Sequence, residues 1–204
     1  MRLILASTSP RRREIVRLLG VPFDIVAPDY EEVPLPYETP RGQAERFALG
    51  KARSIPSDDA VVLGSDTVVA VDDVLLLGKP VDLQDARRML KLLRGRTHHV
   101  VTGVAVCAPN RADIVWSETV NVSMRAVTDD EIEAYLCTGE SLDKAGAYAL
   151  QGEGDRFIER IDGDPFAVVG LPLRSVADAL RRSGVPSSAD LDALYRRPID
   201  SLGR

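Results

Sequence analysis

Three arginines, Arg11, Arg12 and Arg13, stand directly behind Ser9 and Pro10 in the stretch LILASTSPRRREIV, residues 3–16. Ser9 is a residue type that caps helices and Pro10 suits the first helical position, so the arginines open a helix. A helix N-terminus already carries partial positive charge, and a cation placed there costs about 0.3–1 kcal/mol. Three cations in succession imply an anion to be held. At the helical period Arg11 and Arg12 share the face of Ile15 and Val16 and rim its buried side, while Arg13 falls with Arg17 on the solvent side. Backbone N–H groups, two guanidinium forks and the hydroxyls of Ser7 and Ser9 then converge as a cradle for phosphate or polyphosphate. The alternative is a solvated basic turn.

Further candidates lie along the chain. In VLGSDTVV, Asp66 follows the apolar run 60–64, and open α/β sheets place ligands at strand ends of this kind. An acid there can ligate a metal, act as a general base or cap a turn. Asp72 and Asp73 read as hairpin-turn residues. Lys79 sits in a Gly-Lys-Pro corner that lacks the Walker A frame, and Lys51 sits inside a helix. Taken alone, both lysines are solvated. Gln151 lies between two glycine corners in DKAGAYALQGEG, and its amide can both donate to and accept from a nucleobase edge. His98 and His99 are the chain's two histidines. They give little material for a Ser-His-Asp triad or a histidine metal site and read as structural.

The elements that must position these residues alternate between helix and strand. Expected strands are 2–6, 60–64, 99–108, 117–127, GAYAL at 146–150 and RFIERIDG at 156–163, with TVVAVDDVLLLG folding back as a hairpin. Expected helices are 10–19, 41–55, one capped by Asp82 and stopped by Gly95, one opened by the Thr128–Glu131 capping box, and 171–184. Several strands adjoin through short turns, so the sheet is expected to be mixed within an α/β domain. Residues 186–204 follow a Gly-Val-Pro break and read as a tail with one short helix at 189–196.

Bulk properties narrow the function classes. Net charge is −5 over 204 residues, against a nucleic-acid binder built on PRRR. Two cysteines, Cys107 and Cys137, without a C-x-x-C pair exclude a disulfide framework or thiolate zinc site; both read as buried small hydrophobes. The opening LILA is too short for a signal-peptide core, and the most apolar stretch is broken by Asp66, Asp72 and Asp73. A cytoplasmic protein is expected, with no membrane or nucleic-acid partner.

Taken together, ASTSPRR, the acidic pair after DY, GSDTVV, LGKP, GRTHHVVTGV, DKAGAYALQG and GLPL occur in the order that resembles the Maf family of nucleoside triphosphate pyrophosphatases, over about residues 1–182. The resemblance implies an elongated mixed β-sheet with flanking helices, related to the inosine triphosphate pyrophosphatases, with two lobes around a central cleft. On this footing residues 1–185 form the Maf-like domain and 186–204 a C-terminal tail. It implies hydrolysis of a nucleoside triphosphate to the monophosphate and pyrophosphate with a divalent cation, Mg²⁺ or Mn²⁺. Ser7, Arg11, Arg12, Lys51 and Lys79 would hold phosphates, with Lys79 counted in the catalytic set. Asp66 and Glu32 would bind the metal or activate water, with Glu31 adjacent to the latter. Thr67 and Gln151, as substrate-binding residues, fit the branch acting on dTTP and UTP. A 7-methyl-GTP or other modified-nucleotide pyrophosphatase is one alternative, and a non-catalytic nucleotide-binding inhibitor of septum formation another. Partners implied are the nucleotide and, at most, a second copy in a homodimer.

Overall fold

The opening apolar run forms β1 (Arg2–Ala6), and its edge neighbour β2 (Asp24–Val26) and inner neighbour β3 (Ala60–Val71) run parallel to it. The computed structural model describes residues 1–72 and 75–196. The sheet runs β2-β1-β3-β5-β6-β7, with β5 (Thr97–Cys107), β6 (Ile114–Met124) and β7 (Ile158–Asp162) joined antiparallel. The short β4 (Leu75–Leu77) folds back on the end of β3, Val71 facing Leu75. This is the expected hairpin; Asp72 takes φ 53, and Asp73 lies outside the described residues. The mixed α/β sheet is the architecture expected from the sequence.

Three expectations change. The strand 60–64 does not stop before Asp66: β3 continues to Val71, because its ladder with β5 runs unbroken from Val62–Cys107 to Ala70–His99. Asp66 is therefore a mid-strand residue. GAYAL is not a strand. Gly146 and Ala147 take φ 71 and 64, and this backbone makes a short 3-10 turn at Ala145–Ala147 instead of a ladder. RFIERIDG likewise opens with a 3-10 turn at Asp155–Phe157 before β7 begins.

Helices cover both faces. On one lie α1 (Pro10–Arg17), α3 (Leu83–Leu93), α4 (Asp129–Leu136), α5 (Pro165–Val169) and α6 (Leu173–Arg182). The sequence reading missed α5, although Asp164 caps it and Pro165 starts it. On the other face α2 (Pro40–Arg53) crosses β3 and β5 closely. A Cβ at Gly64 would stand 2.3 Å from the Ala48 carbonyl oxygen, and one at Gly103 would stand 2.2 Å from the Ala44 backbone. Only glycine at these two points lets the helix backbone rest on the sheet.

The first face carries two apolar cores at opposite ends of the long strands. Val61 and Leu63 join Ile15, Val16, Leu19, Phe166 and Leu180 in one. Val69 and Val71 join Leu90, Leu93, Ile132 and Phe157 in the other. Between them the same face of β3 presents Ser65 and Thr67. The two implied lobes thus correspond to two cores divided by a polar belt. Beyond α6, Ser187 donates to the Leu19 carbonyl at 2.7 Å, and α7 (Leu191–Tyr195) lays Leu194 into the first core. Tyr195 donates to Asp164 at 2.6 Å.

Two side chains depart from expectation. Arg13 is half-buried, with Nε sealed from solvent and unpartnered among the described residues, because packing wraps this end of α1 further than a one-sided projection allows. Cys137 is exposed, since α4 turns Ile132, Tyr135 and Leu136 inward and Cys137 follows on the outer side. Cys107 is half-buried.

His98 is structural, as expected. It is 1% exposed, 2.6 Å from the Tyr148 hydroxyl through Nε2. Burial lowers its pKa from 6.5 to about 4, with the charge of His99 adding to the effect. The unfolded chain therefore takes a proton on His98 that the folded chain refuses between those values. Stability from this group is complete above about 6.5 and is lost as pH falls toward about 4. His98→Gln should show a smaller loss of urea midpoint than the wild type between neutrality and about pH 4.5.

Candidate active site

Pairing of β1 with β3 ends at Ala6–Gly64, and pairing of β4 with β3 begins at Leu77–Val69. Both partners lie on the side of β3 away from β5. Residues 65–68 therefore face a gap in the sheet, beyond the carboxyl end of β1. Successive side chains of β3 point to opposite faces, so a ligand in this gap can be reached from both.

From the α2 face comes the buried ammonium of Lys51. It lies 2.6 Å from Asp66 Oδ1 and 2.6 Å from Glu32 Oε1. Lys51 and Asp66 are each 6% exposed. The bland reading of Lys51 as a solvated helix residue is thus replaced by a buried one. Glu32, not Glu31, is the acid delivered here. Tyr30 explains how an otherwise exposed loop achieves this. Its ring packs edge-on to Phe47 at 6.1 Å, and Arg46 donates to its hydroxyl at 3.3 Å and to the Val33 carbonyl at 3.1 Å. Arg46 is itself fixed by Glu38. The Tyr30 ring occupies the space above Gly50, where a Cβ would lie 2.2 Å from it.

From the other face comes Arg12. Its Nε donates to the Gly170 carbonyl at 3.0 Å and its Nη2 to Thr67 Oγ1 at 3.1 Å. Burial pushes the guanidinium pKa below its usual value; Asp66 and Glu32 oppose this and Arg11 adds to it. Those couplings put Arg11, Arg12, Asp66 and Glu32 in one electrostatic neighbourhood. Arg11 also faces the segment carrying Asp143. Burial pushes the Asp143 carboxyl up, yet the bond and charge of Lys144, together with Arg11, leave it below its usual value. Ser7 is buried, and its hydroxyl accepts from Ser9 N at 3.1 Å. Ser9 in turn accepts from Arg12 N at 3.4 Å. These hydroxyls shape the corner that presents the arginines.

Lys79 is exposed, two residues beyond the β4–β3 pair Leu77–Val69, and so stands on the opposite rim of the gap. Among the described residues it makes no ion pair. Its corner is tied to the next loop by Gly146 N donating to the Gly78 carbonyl at 3.1 Å. Gln151 is half-buried in that loop, close to the clip formed by Glu140, which accepts from Glu153 N at 3.0 Å. Among the described residues no group of three or more His, Cys, Asp or Glu side chains could hold a metal by itself. No described helix is long and apolar enough to cross a membrane.

The family of Maf-like proteins matches residues 2–183. The chain belongs to the Maf family. A dTTP/UTP pyrophosphatase of Koribacter versatilis is 46% identical over 189 residues, 91% of this chain and 96% of that protein. One of Bacillus cereus is 41% identical over 186 residues, 90% and 91% of the two chains. A HAM1 protein from Coxiella burnetii superposes with a TM-score of 0.54 at 14% identity, covering 89% of this chain and 99% of that one, so the two share a fold.

In this Maf chain the structure gathers Ser7, Arg11, Arg12, Asp66, Thr67, Lys51 and Glu32 around one gap, with Lys79 on its far rim. Sequence reading missed Tyr30, Thr102 and Ser65. A threonine within the apolar run VVTGVAV was the available signal for Thr102, and the polar triplet Ser65, Asp66 and Thr67 within β3 was the signal for Ser65. Gly50→Ala tests the Tyr30 anchor. It should overpack by about 1–3 kcal/mol in urea unfolding. The displaced Tyr30 should also give a changed near-ultraviolet circular dichroism signal.

Proposed function

We propose that this chain hydrolyses dTTP and UTP to the monophosphate and pyrophosphate with a divalent cation, Mg²⁺ or Mn²⁺. The observation that carries the reading is the meeting of Arg12 and Lys51 with Asp66 and Glu32 at one gap in the sheet. The names of the relatives at 46% and 41% identity support the substrate class. The unit responsible is residues 1–185, and the cytoplasmic nucleotide pool is its setting.

The chemistry divides among the residues as follows. A triphosphate is a chain of anionic groups, and the gap offers Arg11 and Arg12 at one rim and Lys79 at the other, with the N-terminus of α1 behind them. Water attacks the α-phosphorus in line, the bond to the bridging oxygen breaks, and pyrophosphate leaves against the cationic rim. Asp66 and Glu32 fit a hard cation: their carboxylates already share one cationic partner at 2.6 Å each. A pair of carboxylates completed by phosphate and water oxygens is the pattern in which Mg²⁺ is held. When bound, such a cation neutralises phosphate charge and acidifies water. Lys51 keeps the two carboxylates together and Tyr30 holds Glu32 in place. Gln151 reads the O4 and N3–H edge that uracil and thymine share, so the 5-methyl group is tolerated.

Pyrophosphate release from a nucleotide panel, including 7-methyl-GTP, tests the reading. UTP and dTTP should be the best substrates, and Asp66→Asn should lower kcat by about 10²-fold or more. Binding without release in the wild type would instead mark a non-catalytic nucleotide sensor. Gln151→Ala should raise KM for UTP about ten-fold with little change in thermal midpoint; unchanged kinetics would remove Gln151 from the site.

A further inference from the structure

The polar belt between the two cores contains a hydrogen-bond chain whose directions are fixed. Thr102 is 0% exposed, and its hydroxyl donates to the Ala167 carbonyl at 2.7 Å. Its only proton is thereby used. In the 2.9 Å contact between Thr67 Oγ1 and Thr102 Oγ1, Thr67 must then be the donor. With its proton committed to Thr102, Thr67 meets Arg12 as an acceptor, which is what the 3.1 Å bond from Arg12 Nη2 requires. The chain reads Arg12 to Thr67 to Thr102 to Ala167, each member donating to the next.

A second hold fixes the other corner of the same guanidinium. Arg12 Nε donates to the Gly170 carbonyl at 3.0 Å, and Ser65 Oγ lies 2.9 Å from that carbonyl. Gly170 has φ 122, a backbone that side-chain-bearing residues rarely adopt. A Cβ there would stand 3.3 Å from both Arg12 Nε and Thr67 Oγ1. The segment that supplies both acceptor carbonyls, Ala167 and Gly170, is α5 and its cap, which joins the two cores.

We propose that Thr102 is a positioning residue that aims Arg12 at the polyphosphate, and that Thr67 acts through Arg12 and not by reading the base. This rests on the proposed triphosphate site and assigns Thr67 a narrower part in it. An arginine fork recognises phosphate by the plane and direction of its N–H groups, so holding it at two corners lowers the cost of ordering it when the anion arrives. Thr102 reaches no substrate; it sets the proton of Thr67. If that proton had no fixed acceptor the hydroxyl could rotate, and the direction in which Thr67 offers its lone pairs to Arg12 would no longer be set.

Steady-state kinetics of Thr102→Val, Thr102→Ser, Thr67→Val and the Thr67→Val/Thr102→Val double variant test this. Thr102→Val keeps the shape and removes the hydroxyl. It should raise KM for UTP and dTTP alike by about ten-fold, with kcat changed far less. Thr102→Ser keeps the hydroxyl and should restore KM, an outcome that a merely packing role for the threonine methyl does not give. Thr67→Val should reproduce the loss, and the double variant should be no worse than either single one, because both break one chain. An unchanged KM in folded Thr102→Val, a Thr102→Ser variant as impaired as the valine, or a shifted UTP-to-dTTP ratio in Thr67→Val would each overturn the proposal. Calorimetric binding of inorganic tripolyphosphate separates it from the functional reading. If the wild type hydrolyses no nucleotide, the pyrophosphatase reading fails by itself. The relay then stands on weaker tripolyphosphate binding in Thr102→Val with recovery in Thr102→Ser, and equal or absent binding in all three proteins sinks it.

Discussion

A gap at residues 65–68 on one side of β3 is the constraint from which the site follows. β1 ends opposite Gly64 and β4 begins opposite Val69, so β3 crosses the interval held on one side by β5 alone among the described residues. In a closed sheet the two faces are chemically separate, because alternate side chains cannot meet through the backbone. At this opening they can. Lys51 arrives from the face covered by α2 and Arg12 from the face covered by α1, and Asp66 couples to both. Backbone edge groups left unpaired inside a protein are costly unless something satisfies them, so the gap is a place where a polar ligand is favoured.

The long middle strands make the gap compatible with a stable fold. β3, β5 and β6 each carry an apolar core near either end of the same face. The polar residues needed at the site level, Ser65, Thr67 and Thr102, sit between those cores where side-chain and carbonyl partners are all supplied internally. Buried hydroxyls without partners would cost about 1–3 kcal/mol each. With partners, they tie α5 to the sheet and turn a weak point of the core into a rigid support for Arg12. On the reverse face, Gly64 and Gly103 bring α2 down onto the strands. That depth is what allows a helix lysine to reach Asp66.

Burial of Lys51 between two acids has a further consequence. An ion pair exposed on a surface contributes about 0–1 kcal/mol, whereas a buried one is costly to break because removing a partner strands a charge. Asp66 and Lys51 are each 6% exposed, while the Glu32 side chain remains 47% exposed. Glu32 is therefore positioned by the packing of Tyr30 on Phe47 and not by its own burial.

Local chemistry written in the sequence settled most of the element types, the Ser9 and Thr128 caps and the hairpin after β3, because caps, period and turn residues act over a few positions. The ordered motifs settled the family. Tertiary structure alone decided three things. It carried β3 through Asp66, since pairing to β5 outweighs the low strand propensity of an aspartate. It made a turn of GAYAL, since the positive φ at Gly146 and Ala147 is set by docking against Gly78 and the second core. It also buried Lys51 and chose Glu32 over Glu31, because which acid reaches a lysine nineteen positions away depends on where Tyr30 packs, a contact that no local pattern encodes.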